Sequence, residues 1–250
     1  MNGFLEQFED LDQTALAQHV MHRRVVLNLL EQALRRTDET GKYQLEALIH
    51  RLVHPMRTTS DEIEFDEQNL WLLDDRLTYH SYLGSDKELK TANRLESTSP
   101  LRPDLLAVFD RVLPFAEGTD PRIAFSIVEF KRPDRGSYSD KSPISQVFDV
   151  VRDIRDGQFK DLHGRPLDNQ SKQAPAYCYV ICDLTPQLER RIEDATGQLT
   201  PDGRGYFGYN PGLRAYFEVV SYEKMVGDAL KRNRMLFQRL GLPAGKLADL

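Results

Sequence analysis

Apolar residues recur at helical spacing through the first third of the chain. Over residues 12–36 they return every three or four positions, and this pattern predicts a helix. A second helical pattern over residues 43–54 stops before Pro55, because proline disfavours the helical conformation in the residue that precedes it. A third pattern over residues 69–83 predicts a partly buried helix. The first two patterns together predict a helical hairpin.

After residue 100 the pattern changes to short apolar runs separated by proline and glycine, which is typical of strands. Residues 104–115 and 122–133 predict two strands, and Gly118 and Pro121 between them favour an antiparallel hairpin. The elements predicted after the hairpin are a helix at 145–154, a strand at 174–184, a helix at 186–196, a strand at 215–222 and a helix at 223–240. The glycine-rich residues 202–212 are predicted to be a connection.

This order of elements predicts an α/β fold, with a mixed central sheet flanked by helices and an N-terminal helical module. We place a boundary near residue 60. Residues 1–60 are then a module for docking or oligomerisation, and residues 61–250 form the α/β domain. With 250 residues, of which 40% are hydrophobic, the chain can bury one sizeable core.

Composition narrows the environment in which the chain is expected to work. The mean hydropathy is −0.53 and no apolar run is long enough for a membrane span, so we expect no membrane. Cys178 and Cys182 are four residues apart on one predicted strand, about 13 Å from each other, and cannot form a disulfide. Two reduced cysteines favour a cytoplasmic protein.

The net charge of −6 argues against a protein that coats nucleic acid through bulk electrostatics. Residues 1–75 contain 15 acidic and 7 basic side chains, whereas residues 76–250 contain 24 acidic and 26 basic ones. The acidity therefore belongs to the first third, and a polyanionic substrate stays open for the remainder.

The candidate chemistry lies at the ends of the two hairpin strands. Glu129 and Lys131 are two residues apart on a strand, so their side chains project from the same face. If the hairpin folds about the middle of its loop, Asp104 lies opposite Glu129. Two facing carboxylates repel each other unless a cation lies between them, and oxygen ligands of this kind suit Mg²⁺. With Lys131 beside the ion, this arrangement favours phosphodiester hydrolysis.

Simpler interpretations exist for these residues. An acid-x-Lys triplet also occurs at Glu88 and Lys90, within a polar segment that has no strand pattern. Because such triplets also occur by chance, Glu129 and Lys131 can also be interpreted as an ion pair at the end of a strand, with a structural role only.

Asp104, the triplet Glu129-x-Lys131 and a following helix with Gln146 resemble the PD-(D/E)XK nuclease superfamily, which has the restriction-endonuclease-like fold. The resemblance implies that Asp104 and Glu129 bind Mg²⁺ or Mn²⁺ and that the carbonyl of Phe130 completes the coordination. It also implies that Lys131 positions the attacking water and that Gln146 holds this water or a phosphate oxygen. A Tyr four residues after the Gln, present in some relatives, is missing here.

Further residues follow from the same resemblance. Several relatives place an acid on the helix before the hairpin, and Asp75 is our candidate, with Asp74 as the alternative. The basic residues expected to contact phosphates are Arg132, Arg135 and Lys141.

Residues 69–89 and 216–242 are similar to nuclease regions of Shedu-type antiphage proteins and to C-terminal regions of bacterial GHKL-type ATP-binding proteins. This likeness implies a deoxyribonuclease of antiphage defence, with DNA as substrate, an ATPase domain or subunit as partner, and a homo-oligomer as a further expectation. Two alternatives stay open: a non-catalytic module of the same fold that binds nucleic acid or a partner, and an RNA-processing nuclease.

Two weaker patterns complete the candidates. The pairs His19 with His22 and His50 with His54 have spacings that allow a shared metal ion, but surface or helix-packing histidines are the preferred interpretation. The aromatic residues of the segment 202–212, among them Tyr209, have rings that can stack on bases, although a structural role is preferred.

Overall fold

The computed structural model describes residues 2–34, 42–110, 123–131, 141–167 and 169–242. Its helices are α1 (Asn2–Leu34), α2 (Lys42–Val53), α3 (Pro143–Asp156), α4 (Gln170–Gln173), α5 (Pro186–Asp194) and α6 (Tyr222–Arg239). Its strands are β1 (Tyr82–Ser85), β2 (Leu95–Glu96), β3 (Leu105–Phe109), β4 (Ala124–Phe130), β5 (Gln158–Phe159), β6 (Ala176–Ile181), β7 (Gln198–Leu199), β8 (Gly205–Asn210) and β9 (Ala215–Val220).

Seven strands form one mixed sheet in the order β1-β3-β4-β6-β9-β8-β7. The central strands β4, β6 and β9 are parallel, whereas β3 pairs with β4 and β8 pairs with β9 in the antiparallel direction. A small second sheet joins β2 to β5. The predicted α/β class is confirmed, together with the hairpin and the alternation of helices and strands after it.

Helices cover both faces of the sheet because successive strand residues point to opposite sides and both sets are apolar. On one face, a buried cluster joins residues of β3 and β4 to residues of α1, α2 and α6, with Leu27 and Ile49 among them. On the other face, a second cluster includes Phe125 and Ile127 of β4 and Val151 of α3. The two cysteines lie in this second cluster and are free, as predicted.

The N-terminal helices share a core with the sheet. The α1 helix packs on α6, and Leu27, Leu30 and Ile49 are fully buried in the cluster that also contains sheet residues. The predicted boundary near residue 60 stays a prediction, but α1 and α2 are integral to the packing on this face. Among the helices that the structure describes, none combines the length and the apolarity needed to cross a bilayer.

Two predicted elements are wrong. Residues 69–83 form two 3₁₀ turns, Leu70–Leu72 and Asp75–Tyr79, followed by β1. The consecutive residues Leu70, Trp71 and Leu72 are all buried, which a helix with one apolar face does not achieve, and Asp74 accepts a hydrogen bond from the backbone N–H of Arg76 at the start of the second turn.

The second error concerns the glycine-rich residues 202–212, because 205–210 form strand β8 and not a connection. Gly208 is needed there for close packing. A Cβ atom at this position would lie 2.4 Å from the ring of Phe217 on β9. The glycine thus makes room for an aromatic ring and does not mark a turn.

Candidate active site

The predicted acidic pair forms at the edge of the sheet where β3 begins and β4 ends. The β3–β4 register pairs Leu105 with Val128, so the next position places Asp104 opposite Glu129. This confirms the register predicted for the hairpin. One carboxylate oxygen of Asp104, Oδ2, accepts a hydrogen bond of 2.7 Å from the backbone N–H of Phe130. Asp104 is therefore held against the strand that carries the other candidate residues.

Glu129 and Lys131 form an ion pair on the face of β4 that α3 covers. The ammonium of Lys131 contacts Oε1 of Glu129, and the two side chains are only 10% and 14% exposed. This face is the one to which Ile127 also points, and the second buried cluster lies beneath it. A buried ion pair at the end of a strand needs partners to offset its desolvation.

The backbone of Lys131 is fixed on both sides. Its N–H donates to the carbonyl of Ile181 at 2.8 Å, which extends the β4–β6 ladder by one residue. Its carbonyl accepts a hydrogen bond of 2.6 Å from the buried hydroxyl of Tyr222, the first residue of α6. The sequence gives no sign of this role for Tyr222, because the contact spans 91 positions.

Burial and neighbouring charges shift the pKa of Asp104. Burial raises the pKa of Asp104 well above its ordinary value, and the negative charge of Glu129 raises it further. The N–H of Phe130 and the charge of Lys131 oppose this rise, whereas Glu46 of α2 adds to it. A bound cation would lower the pKa of a carboxyl group in this position, because the cation favours the ionised form.

Asp75, the acid predicted on a helix before the hairpin, lies in a 3₁₀ turn and faces basic residues of two helices. Asp75 lies 3.4 Å from the guanidinium of Arg23 on α1 and 3.5 Å from that of Arg232 on α6, so it joins these two helices. No contact in the described part of the chain links Asp75 to Asp104. The helix whose charge acts on Asp104 is α2, through Glu46.

Two histidines are buried here, His50 on α2 and His54 just after its last residue. His50 lies with Nδ1 3.9 Å from Oδ1 of Asp104 and Nε2 2.9 Å from the hydroxyl of Ser85, and its ring centre is 5.3 Å from that of Phe130. Burial lowers the pKa of His50 to about 4, so the ring is neutral at pH 7. His54 instead donates from Nδ1 to the carbonyl of Pro55.

The remaining predicted residues are on α3, before α3, or outside the described part. Gln146 is half-buried on α3, which packs on the face to which Glu129 and Lys131 point, and its role stays a prediction. The exposed Lys141 forms an ion pair of 2.6 Å with Asp149. Arg132 and Arg135 lie outside the described residues.

The predicted ligands are suited to Mg²⁺ and do not form a site in which side chains enclose the metal ion completely. Over the described ranges, no group of three or more His, Cys, Asp or Glu side chains is arranged to hold a metal ion. Mg²⁺ usually keeps several water ligands and needs only one or two carboxylates, which Asp104 and Glu129 provide. The N–H and C=O of one strand residue point to the same side, so the carbonyl of Phe130 points towards the β3 side, as does its N–H, which donates to Asp104.

Comparison with known proteins gives no assignment for this site. No protein-family model matches the chain, and neither a curated protein nor a solved structure matches it. Evidence for a functional site comes from the register, burial and charge of its own residues.

Proposed function

We propose that this chain is a divalent-metal-dependent deoxyribonuclease that hydrolyses DNA phosphodiester bonds. The observation that carries the proposal is the position of Asp104 opposite Glu129, with Lys131 buried beside Glu129 at the end of the same strand. Two carboxylates at one edge attract a cation, and a lysine next to that cation can act on a phosphate.

We further propose that the chain is a PD-(D/E)XK nuclease with a restriction-endonuclease-like fold. This assignment is supported by the order of the elements, since α2 precedes the β3–β4 hairpin and α3 and β6 follow it. A cytoplasmic role in antiphage defence, as a homo-oligomer or with an ATPase domain or subunit, rests on the resemblance in sequence and is part of the same proposal.

In the proposed reaction, Asp104, Glu129 and the carbonyl of Phe130 would hold Mg²⁺ or Mn²⁺. When bound, such an ion would activate a water molecule and offset negative charge on the phosphate. Lys131 donates hydrogen bonds to the attacking water or a phosphate oxygen and stabilises the negative charge that develops in the transition state. Gln146 on α3 helps to hold the water, and Tyr222 keeps the backbone of Lys131 in position.

The test is a cleavage assay with supercoiled, linear and single-stranded DNA and with RNA, in Mg²⁺, Mn²⁺ or EDTA. We expect cleavage that needs the metal and falls by about 100-fold or more in Lys131→Ala, because a charge-stabilising donor is lost. Lys172→Ala, at an exposed lysine of α4, is the matched control and should cleave like wild type. Equal cleavage by Lys131→Ala and wild type would disprove the proposed role, and preferential cleavage of RNA would change the substrate.

A second candidate function is a non-catalytic module that binds nucleic acid or a partner. The direct ion pair of Lys131 with Glu129 favours it, because this pair can be purely structural. The two functions differ in metal binding. A metal site saturated 100-fold above its Kd adds about 2.7 kcal/mol of stability, which raises Tm by about 5–10 °C in a chain of this size.

We expect that Mn²⁺ raises the Tm of wild type and that the rise is absent in Glu129→Gln. If Mn²⁺ leaves the Tm of wild type unchanged and no substrate is cut, the interaction module replaces the nuclease. If Mn²⁺ binds without cleavage, a missing activator explains the inactivity.

A further inference from the structure

A row of three tyrosines crosses the sheet at the end opposite to the candidate active site. The strand registers pair Tyr177 of β6 with Tyr216 of β9, and Tyr216 with Tyr209 of β8. Residues paired in this way project from the same face of the sheet, so the three tyrosine side chains share one face. The ring centres of Tyr177 and Tyr216 are 6.4 Å apart, and Tyr209 is 53% exposed.

These rings line a pocket of about 480 Å³, which we call the tyrosine pocket. Arg76, Arg214 and Glu218 also line it. The volume lies within the range of sites for small ligands. Tyr177 packs against the cluster that contains α1 and α6, on the face of the sheet away from Lys131. The tyrosine pocket and the candidate active site are therefore separate.

The charges of the tyrosine pocket suit a ligand with a negative group. The exposed guanidinium of Arg214 makes no hydrogen bond or ion pair with any residue that the structure describes, and the backbone of Arg214 has a positive φ of 45°. A non-glycine residue rarely adopts this conformation. Asp74 pairs with Arg76 through Nε and Nη2, which leaves Nη1 for another acceptor.

Glu218 provides an acceptor at the same surface. One of its oxygens accepts a hydrogen bond of 2.8 Å from the hydroxyl of Tyr216. A carboxylate has further acceptor capacity, which suits the N–H groups at the edge of a nucleobase. These groups match the three parts of a nucleotide. Aromatic rings stack on the flat face of its base, a guanidinium binds its phosphate, and a carboxylate accepts hydrogen bonds from the polar edge of the base.

We propose that the tyrosine pocket binds a nucleotide, either free or within a single strand, with its base stacked on Tyr209 and Tyr216 and its phosphate held by Arg214. This proposal is independent of the nuclease proposal, because the tyrosine pocket contains none of the candidate catalytic residues. Binding is measured in EDTA, so that metal-dependent cleavage plays no part.

The experiment is fluorescence anisotropy of the full chain with two probes: GMP carrying a methylanthraniloyl group, and a fluorescein-labelled single strand of ten deoxyadenosines. We expect Tyr209→Ala and Arg214→Gln to weaken binding by about tenfold or more, as loss of a stacking ring or a phosphate contact does. Both side chains are exposed, so neither variant should disturb folding, and thermal unfolding checks this.

Two matched controls separate the tyrosine pocket from general surface effects. Tyr79→Ala removes a tyrosine that is 69% exposed outside the tyrosine pocket, and Arg57→Gln removes an exposed arginine whose φ is also positive. If wild type binds the GMP probe and only the pocket variants lose this binding, the ligand is a free nucleotide. If wild type binds the labelled strand but not GMP, and only the pocket variants lose this binding, the ligand is a single-stranded nucleic acid. If neither probe shows saturable binding, or if the pocket variants bind like their controls, the proposal is wrong.

Discussion

At the scale of single residues, the backbone of Lys131 depends on the hydroxyl of Tyr222. This buried hydroxyl donates at 2.6 Å to the carbonyl of Lys131. In Tyr222→Phe the carbonyl loses its partner, which costs about 1–2 kcal/mol, so we expect Tm to fall by about 2–8 °C. Cleavage activity should also fall, because Lys131 is less firmly held.

Circular dichroism during heating measures the stability of Tyr222→Phe, and the cleavage assay measures its activity. Tyr79→Phe removes an exposed hydroxyl and should leave both unchanged. A Tyr222→Phe protein as stable and as active as wild type would show that the hydrogen bond contributes nothing.

His54 makes the stability of the fold depend on pH. It is fully buried, its Nδ1 donates to the carbonyl of Pro55, and its Nε2 has no hydrogen-bond partner among the residues that the structure describes. Burial lowers the pKa of His54 below its ordinary value of 6.5, and the nearby His80 lowers it further. The unfolded chain therefore binds the proton first. The stability that depends on a neutral His54 is therefore fully present above pH 6.5, and it is lost as the pH falls towards the lowered pKa of the folded state.

We expect His54→Phe to reduce the pH dependence of the unfolding free energy between pH 6.5 and pH 5. One histidine contributes at most about 1.4 kcal/mol per pH unit, so the variant should lose up to that slope. Urea unfolding at several pH values measures it, with His163→Phe at an exposed histidine as the control. An unchanged slope in His54→Phe would mean that the buried ring is not the source.

At the scale of elements, the distribution of apolar residues was sufficient to identify the helices and strands that have a simple pattern. Strand β4 is a short run of mostly apolar residues, and apolar residues of the closing helix recur every three or four positions, so both elements were found. The hairpin register followed from the length of its loop, and it placed Asp104 correctly. The turns at 69–83 were missed because Leu70, Trp71 and Leu72 form a short apolar run, and such a run in a sequence does not separate a helix from a buried turn.

Strand β8 was missed because glycine has two uses that sequence does not separate. Gly208 allows close packing, since a Cβ there would lie 2.4 Å from the ring of Phe217.

We expect Gly208→Ala to destabilise the protein by about 1–3 kcal/mol through overpacking. Gly212→Ala, where the nearest atom is 3.4 Å away, should be nearly neutral. Urea unfolding compares the two variants, and equal stability would contradict the packing of β8.

At the scale of the whole molecule, the candidate site combines residues that are far apart in sequence. Asp104, Glu129 and Lys131 come from one hairpin, and the sequence was sufficient to bring them together. Glu46 and Tyr222 come from α2 and α6, whose positions depend on how these helices pack on the sheet. Periodicity gives the apolar face of a helix but not which of its polar residues will face a site, so these two residues could not be predicted.

The same packing decides whether residues 61–250 fold without the N-terminal helices. Leu27, Leu30, Ile49 and Val53 are fully buried in the core shared with the sheet. Their burial contributes roughly 6–12 kcal/mol, which is comparable with the total stability of about 5–15 kcal/mol that a folded protein has. We therefore expect a chain of residues 61–250 to show no cooperative unfolding transition on heating, whereas the full chain does. A cooperative transition in the shorter chain would instead make residues 1–60 a separate module, as the sequence predicted.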